Sequence, residues 1–151
     1  MKEFDLPQRT FDFKTDLAYG KAGEQLVESF LSSLEKGSFE VKNDRYRNGK
    51  MVVETQQNPR GIKDELGNPK WVNSGINVTT AKWWVYIFSP DEAFVVVDVD
   101  RLKRYIRANI DSIERKEFGG ADNPAKGFLL SPEQVSEMIR SRHYDLPNGA
   151  Q

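Results

Sequence analysis

Residues 39–57, FEVKNDRYRNGKMVVETQQ, constrain the fold more than any other stretch, because two strand-forming runs flank Asn48-Gly49. Asn-Gly is a strong local signal for a β-hairpin, since both residues tolerate positive φ. A hairpin here predicts that Asp44 and Glu54 lie close together, and the register decides how close. A two-residue turn pairs Asp44 with Val53 and sends Glu54 to the other face, whereas a three-residue turn through Lys50 pairs Asp44 with Glu54. Two opposed carboxylates repel unless a cation sits between them. Mg²⁺ or Mn²⁺, which favour carboxylate, carbonyl and water oxygens, meet that need. The plain alternative is a surface hairpin with two solvated acids.

The rest of the composition bounds what such a hairpin can belong to. A chain of 151 residues predicts one domain burying roughly two thirds of its unfolded surface. With 38% hydrophobic, 30% charged and 11% aromatic residues, it is polar but can pack a core. The absence of cysteine excludes disulfides and thiolate metal sites. No apolar run approaches the length of a membrane span, and MKEFDLPQRTFDFK lacks the apolar core of a signal peptide. A cytosolic protein without membrane contact is therefore expected. A formal net charge of −1 gives no global basic field, so any nucleic-acid binding must use a local basic surface.

In chain order, residues 1–14 read as an extended arm. From Thr15 or Asp16, a helix of about twenty residues is expected to end at Gly37, with Leu17, Val27, Phe30, Leu31 and Leu34 as its buried stripe. Glu24 borders that stripe and would point toward the hairpin. After the hairpin, residues 58–73 hold Pro59, Gly61, Gly67 and Pro69 and predict a mobile loop. Its Arg60, Lys63 and Lys70, with Trp71, could grip a phosphodiester backbone. The run Trp83–Phe88 suits a central strand, and Ala93–Val97 a second. Asp98 or Asp100 can cap a helix whose apolar side is Leu102, Tyr105 and Ile106. Arg101, Lys103, Arg104 and Arg107 form its other side, a solvated face or a DNA-facing one. Residues 111–126 read as a flexible connection, Phe128–Leu130 as a short strand, and Ser131-Pro132-Glu133 as the start of a last helix. A lone histidine, His143, and no cysteine exclude a zinc cage and a histidine triad pairing.

The order helix, strands, helix, strand, helix, with acids at Glu24, Asp44 and Glu54, resembles the PD-(D/E)XK nuclease superfamily, which includes Holliday-junction resolvases, restriction enzymes and phage recombination nucleases. The segment SGINVTTAKWWVYIF is similar to the Ser-Gly, Thr, aromatic strand entry of phage-type relatives. The resemblance covers about residues 15–110 and leaves 111–151 as a C-terminal extension. It implies an α+β (α/β) fold with a mixed central sheet flanked by helices, built on an αβββαβ restriction-endonuclease-like core. It also implies a site in which Glu24, Asp44 and Glu54 are the three acids. Gln56 departs from the family pattern, standing where the family's Glu-x-Lys has lysine, as in some restriction-type members.

On that resemblance, Asp44, Glu54 and the Thr55 carbonyl hold Mg²⁺ or Mn²⁺, Glu24 completes the set, and a DNA phosphodiester is hydrolysed. Glutamine can orient a water but cannot serve as a base near neutral pH. Lys82, or failing it Lys21, is then the residue expected to restore the missing charge. Lys21, Arg45, Arg47, Lys50, Arg60, Lys63, Lys70, Thr79 and Thr80 are the expected DNA contacts, and the resolvase-like relatives imply a homodimer. Two alternatives stay open: a nuclease-fold protein that binds DNA or protein without cutting, and a plain α+β interaction domain whose acids never meet.

Overall fold

The computed structural model describes residues 13–120 and 122–147, and the chain divides into two compact units, residues 1–36 and 37–151. The expected arm over residues 1–14 lies, but for its last two residues, outside the described ones. The N-terminal unit contributes one helix, α1 (Phe13–Glu35). Gly37, at φ 69°, ends it in the left-handed conformation that glycine adopts at little cost. The stripe expected to be buried is largely open, for Leu17, Val27 and Leu31 are exposed.

The second unit is mixed α and β. It runs β1 (Phe39–Asn43), β2 (Met51–Gln57), β3 (Val72–Asn73), β4 (Trp83–Ser89), β5 (Ala93–Asp98), α2 (Val99–Ala108), β6 (Glu114–Phe118), β7 (Ala125–Leu130) and α3 (Pro132–Arg140). The strands form two sheets rather than the one central sheet expected. One has the order β1-β4-β5 and the other β3-β2-β7-β6. In the first, β1 runs parallel to β4, with Phe39 opposite Trp83 and Asn43 opposite Ile87. The second sheet is antiparallel throughout.

The hairpin expected at Asn48-Gly49 does not form, because β1 and β2 belong to different sheets. The reason is visible in the turn itself. A tight hairpin of the Asn-Gly kind needs positive φ at both central residues, but here the positive values fall on Arg47 (52°) and Gly49 (79°). Asp44 Oδ1 and Oδ2 instead accept the amides of Tyr46 and Arg47. The segment becomes a crossing from one sheet to the other. Burial overrides local turn preference: β4, whose Trp84 is fully buried, takes β1 as its neighbour, while Met51 and Val53, also fully buried, draw β2 onto β7.

One hydrophobic core joins both sheets to α2 and α3, with Met51, Trp84, Leu102, Tyr105, Leu130 and Met138 among its members. Leu130 and Met138, in the stretch expected to be a C-terminal extension, belong to that core. The flexible connection expected over 111–126 is instead mostly β6, the turn at Gly119 and the start of β7. Glu-Arg-Lys-Glu-Phe has no apolar alternation to betray it, because it is an exposed edge strand where charge deters pairing with other chains. The loop 58–73 also carries structure of its own. Asp64 Oδ1 accepts the amides of Leu66 and Asn68, and Lys63 bridges Pro69.

Both helix caps follow the sequence. Asp98 accepts the amides of Asp100 and Arg101. Ser131 and Gln134 form a reciprocal capping box with Pro132 in the first turn. Burial pushes the Asp98 carboxyl up, but the bond from Lys82 and those two amides outweigh it, so its pKa falls below the usual aspartate value. Among the described residues no helix is long and apolar enough to cross a membrane.

Candidate functional site

Asp44 directly follows β1, and its amide continues the ladder by donating to the Ile87 carbonyl at 3.0 Å. It is one of few buried charged residues. Its carboxylate accepts three hydrogen bonds: Tyr46 N–H at 3.1 Å and Tyr86 O–H at 3.2 Å on Oδ1, and Arg47 N–H at 3.0 Å on Oδ2. Tyr86, on β4, also accepts the Val52 amide of β2 at 3.2 Å. One phenol thus ties the two sheets together at the point where the chain crosses between them.

Glu54 reaches the same place from the other sheet. Asp44 and Glu54 both line a cavity of about 330 Å³, together with Arg45, Tyr86, Phe118 and Asn123. Among the described residues no hydrogen bond or ion pair engages the Glu54 carboxylate, so it is free to accept a ligand. Crossing between sheets brings the two acids to one cavity as the expected hairpin would have done, by a different route.

The geometry around Glu54 rearranges the rest of the predicted site. The β2–β7 register slips between Glu54, opposite Gly127, and Gln56, opposite Lys126. Directly opposed residues share a face, and neighbours along a strand alternate faces. Gly127 and Lys126 are neighbours, so Glu54 and Gln56 lie on opposite faces, whereas in an unbulged strand they would share one. Gln56 accordingly borders a different hollow, with Arg115 and Lys126, and does not stand beside Glu54 in the place of a catalytic lysine. Thr55, the bulged residue, is not available as expected either. Its carbonyl accepts Ser74 N–H at 2.9 Å and Asn77 Nδ2–H at 3.0 Å, which uses both lone pairs.

Two glycines hold this bulge in shape. A Cβ on Gly75, which sits at φ +52°, would fall 2.2 Å from the Glu54 carbonyl oxygen, and one on Gly127 would fall 2.3 Å from that of Val53. No side chain fits at either position, so the backbone on both sides of Glu54 is clamped.

Lys82 does not replace the missing lysine. Its ammonium pairs with Asp98 at 2.8 Å at the Trp83 end of β4, while Asp44 bonds to Ile87 at the other end. Five residues of strand separate them, about 16 Å at roughly 3.3 Å per residue. Thr79 and Thr80 precede the same distant end, and Thr79 Oγ1 is bonded to Glu40 at 3.3 Å. Of the other expected DNA contacts, Arg45 lines the cavity and Arg47 reaches Ser89 Oγ at 3.2 Å. Lys50 is half-buried, and Arg60, Lys63 and Lys70 are exposed in the 58–73 loop. Glu24 and Lys21 are exposed on α1. Arg101 and Arg104 are not a DNA-facing row: Arg101 bonds the carbonyls of Met138 and Ser141, and Arg104 that of Tyr144.

Sequence reasoning missed Tyr86, Phe118 and Asn123. Tyr86 was hidden in an apolar run, where its ring reads as core, and only the position of Asp44 gives its hydroxyl a task. Two carboxylates border the cavity, Glu54 with both oxygens unengaged among the described residues and Asp44 with one lone pair left on Oδ2. Magnesium is commonly held by one or two carboxylates together with waters and substrate phosphates. The four-donor set expected from sequence is not what these residues offer, and no group of three or more His, Cys, Asp or Glu side chains gathers among the described residues.

Burial pushes the Tyr86 hydroxyl up to about 12; the Val52 amide opposes the rise and the Asp44 charge adds to it. Tyr105, buried and bonded to Glu137, is pushed up as well. Each keeps its proton in the folded state beyond the pH at which the unfolded chain releases it near 10. Their stabilising contribution is therefore complete below pH 10 and declines as pH rises through 12. Urea melts from pH 8 to 12 are expected to show this decline, and Tyr86→Phe to make it shallower. An unchanged slope in the variant would show that the Tyr86 phenol is not held as described.

No family model, no curated protein and no solved structure matches this chain.

Proposed function

We propose that the cavity bordered by Asp44 and Glu54 is a metal-dependent centre that hydrolyses phosphodiester bonds in DNA. The observation that carries the reading is that Glu54, without a partner of its own among the described residues, opens onto the same cavity as Asp44. The resemblance to PD-(D/E)XK nucleases, which rests on the order of the elements and on these acids, implies the same chemistry and an αβββαβ core. A bound Mg²⁺ or Mn²⁺ would supply an activated water and neutralise charge on the phosphoryl group.

The chain's own residues then have distinct tasks. Glu54 binds the cation, and Asp44, its orientation fixed by three hydrogen bonds, offers one oxygen lone pair beside it. Tyr86 stays protonated and holds that carboxylate in place. Arg45 supplies the positive charge at the cavity for a phosphate oxygen, the task assigned from sequence to Lys82. Glu24 is the third acid implied by the resemblance. The working location is the cytosol of a bacterial or phage-infected cell, and the assembly a homodimer like that of resolvases.

A second reading, binding of DNA without cleavage, is favoured by two observations: the Thr55 carbonyl is doubly hydrogen-bonded, and Gln56 faces away from Glu54. One assay separates the two. Supercoiled plasmid and a branched junction are incubated with Mg²⁺, Mn²⁺ or EDTA, using wild type, Glu54→Gln and Glu24→Ala. Glu54→Gln is preferred to a change at Asp44, whose removal would orphan three donors, the buried Tyr86 hydroxyl among them. Metal-dependent nicking that falls by at least about 10²-fold in Glu54→Gln, the scale of losing one electrostatic contact to the transition state, supports cleavage. DNA binding without nicking under any metal supports the second reading, and neither activity defeats both.

A further inference from the structure

Away from the carboxylate cavity, the second unit carries a band of uncompensated positive charge. Two hollows share Phe128 as a common wall. One is bordered by Lys103 and Arg107 of α2, the other by Arg115 and Lys116 of β6 and Lys126 of β7. Among the described residues none of these five cations forms an ion pair, and the only acid bordering either hollow is Glu117. In a chain of net charge −1, five unpaired cations beside one acid are a concentration of charge, since like charges gathered without partners repel. A structural role would have supplied acids to neutralise them, as Asp98 does for Lys82.

Aromatic rings are interleaved with these charges. The Arg115 guanidinium lies over the Phe128 ring at 5.5 Å, and the Lys126 ammonium over the Trp71 ring at 4.1 Å. Arg115 and Lys126 share one face of the sheet, since Arg115 stands opposite Phe128, two residues along β7 from Lys126. That is the face of Gln56 and not of Glu54. Cations that track a phosphate backbone, set among rings on which bases stack, are the means by which single-stranded nucleic acid is bound without sequence preference. An acidic peptide would satisfy the charges but make no use of the half-buried Trp71 ring beside Lys126.

We propose that this band, running from Lys103 and Arg107 past Phe128 to Arg115 and Lys126, is a binding surface for single-stranded nucleic acid. Its Arg115 and Lys126 lie on the opposite face of the sheet from Glu54, and the surface is independent of whether the carboxylate cavity cleaves.

The test is fluorescence anisotropy of a labelled oligo-dT over a range of salt, in EDTA so that cleavage plays no part. Arg115→Gln with Lys126→Gln is compared with an equal charge change elsewhere, Arg140→Gln with Arg142→Gln. Wild type is expected to bind with a salt slope that the first pair reduces by about 1.4, at roughly 0.7 per phosphate contact on a single strand. Affinity should fall at least tenfold, with the control pair near wild type. Lys103→Gln, on α2 at the other end of the band and outside both ring pairs, provides a milder variant should the first pair fold poorly, with an expected slope change of about 0.7. Equal losses in both pairs, no binding by wild type, or full displacement by polyglutamate at matched charge would each overturn the proposal, the last in favour of an acidic protein partner.

Discussion

Alanine at Gly75 or at Gly127 is expected to cost this protein about 3 kcal/mol or more, although each change adds a single methyl group. At Gly127 the new Cβ would lie 2.3 Å from the Val53 carbonyl oxygen and 2.9 Å from its carbon. These are backbone atoms of β2, which is laddered to β7 along its length, so they cannot swing aside as the end of a flexible side chain would. Overpacking a tight interior costs about 1–3 kcal/mol, and each ladder bond lost as the strands part costs about 1 more. At Gly75 the approach to the Glu54 carbonyl is closer still, and the left-handed φ adds about 1–2 kcal/mol for any residue with a Cβ. Thermal or urea unfolding measures the loss, and a change below about 1 kcal/mol in both variants would mean that the bulge at Thr55 is not clamped as described. Because both glycines press on the backbone at Glu54, either substitution should also displace its carboxylate. Any cleavage would then fall further than the folded fraction does.

These glycines show which parts of the molecule could be read from sequence. Punctuation that acts over three or four residues was legible: Gly37 after α1, Asp98 before α2, and Ser131-Pro132 before α3 all do what their chemistry predicts. The identity of Asp44 and Glu54 as a pair at one cavity was legible too, because residues ten apart with a reversal between them can meet by more than one path. Partner choice among strands was not legible. Asn48-Gly49 promised a hairpin, but the buried surface of β4 and β7 outweighs a turn preference of about a kilocalorie. The strand β6 was hidden by its own charge. The bulge at Thr55 has no local signature at all, since it is imposed by Gly75 and Gly127, which approach from elsewhere in the chain. That one inserted residue determines that Gln56, which seemed the natural stand-in for a lysine, faces away from Glu54.

Arg101 gives the converse case, a residue whose sequence context suggested a surface charge and whose surroundings make it structural. Its side chain is only 17% exposed. Nε donates to the Met138 carbonyl and Nη2 to that of Ser141, each at 2.7 Å, while Nη1 meets Asp145 at 2.7 Å. The last turn of α3 leaves carbonyls without intrahelical partners, and this guanidinium satisfies them while fastening α3 to α2. Arg101→Ala is expected to lower stability by about 3 kcal/mol, from the loss of two charge-assisted bonds and the orphaning of their acceptors. The ion pair with Asp145 contributes little by comparison, because Asp145 is 57% exposed and water screens it; Asp145→Ala should cost less than about 1 kcal/mol. Arg101→Lys should recover only part of the loss, since an ammonium cannot match a planar fork bonding four acceptors, the Ile139 carbonyl included, in different directions. Urea melts of the three variants settle the ranking. If Asp145→Ala proved as damaging as Arg101→Ala, the ion pair rather than the carbonyl contacts would be what fastens the two helices.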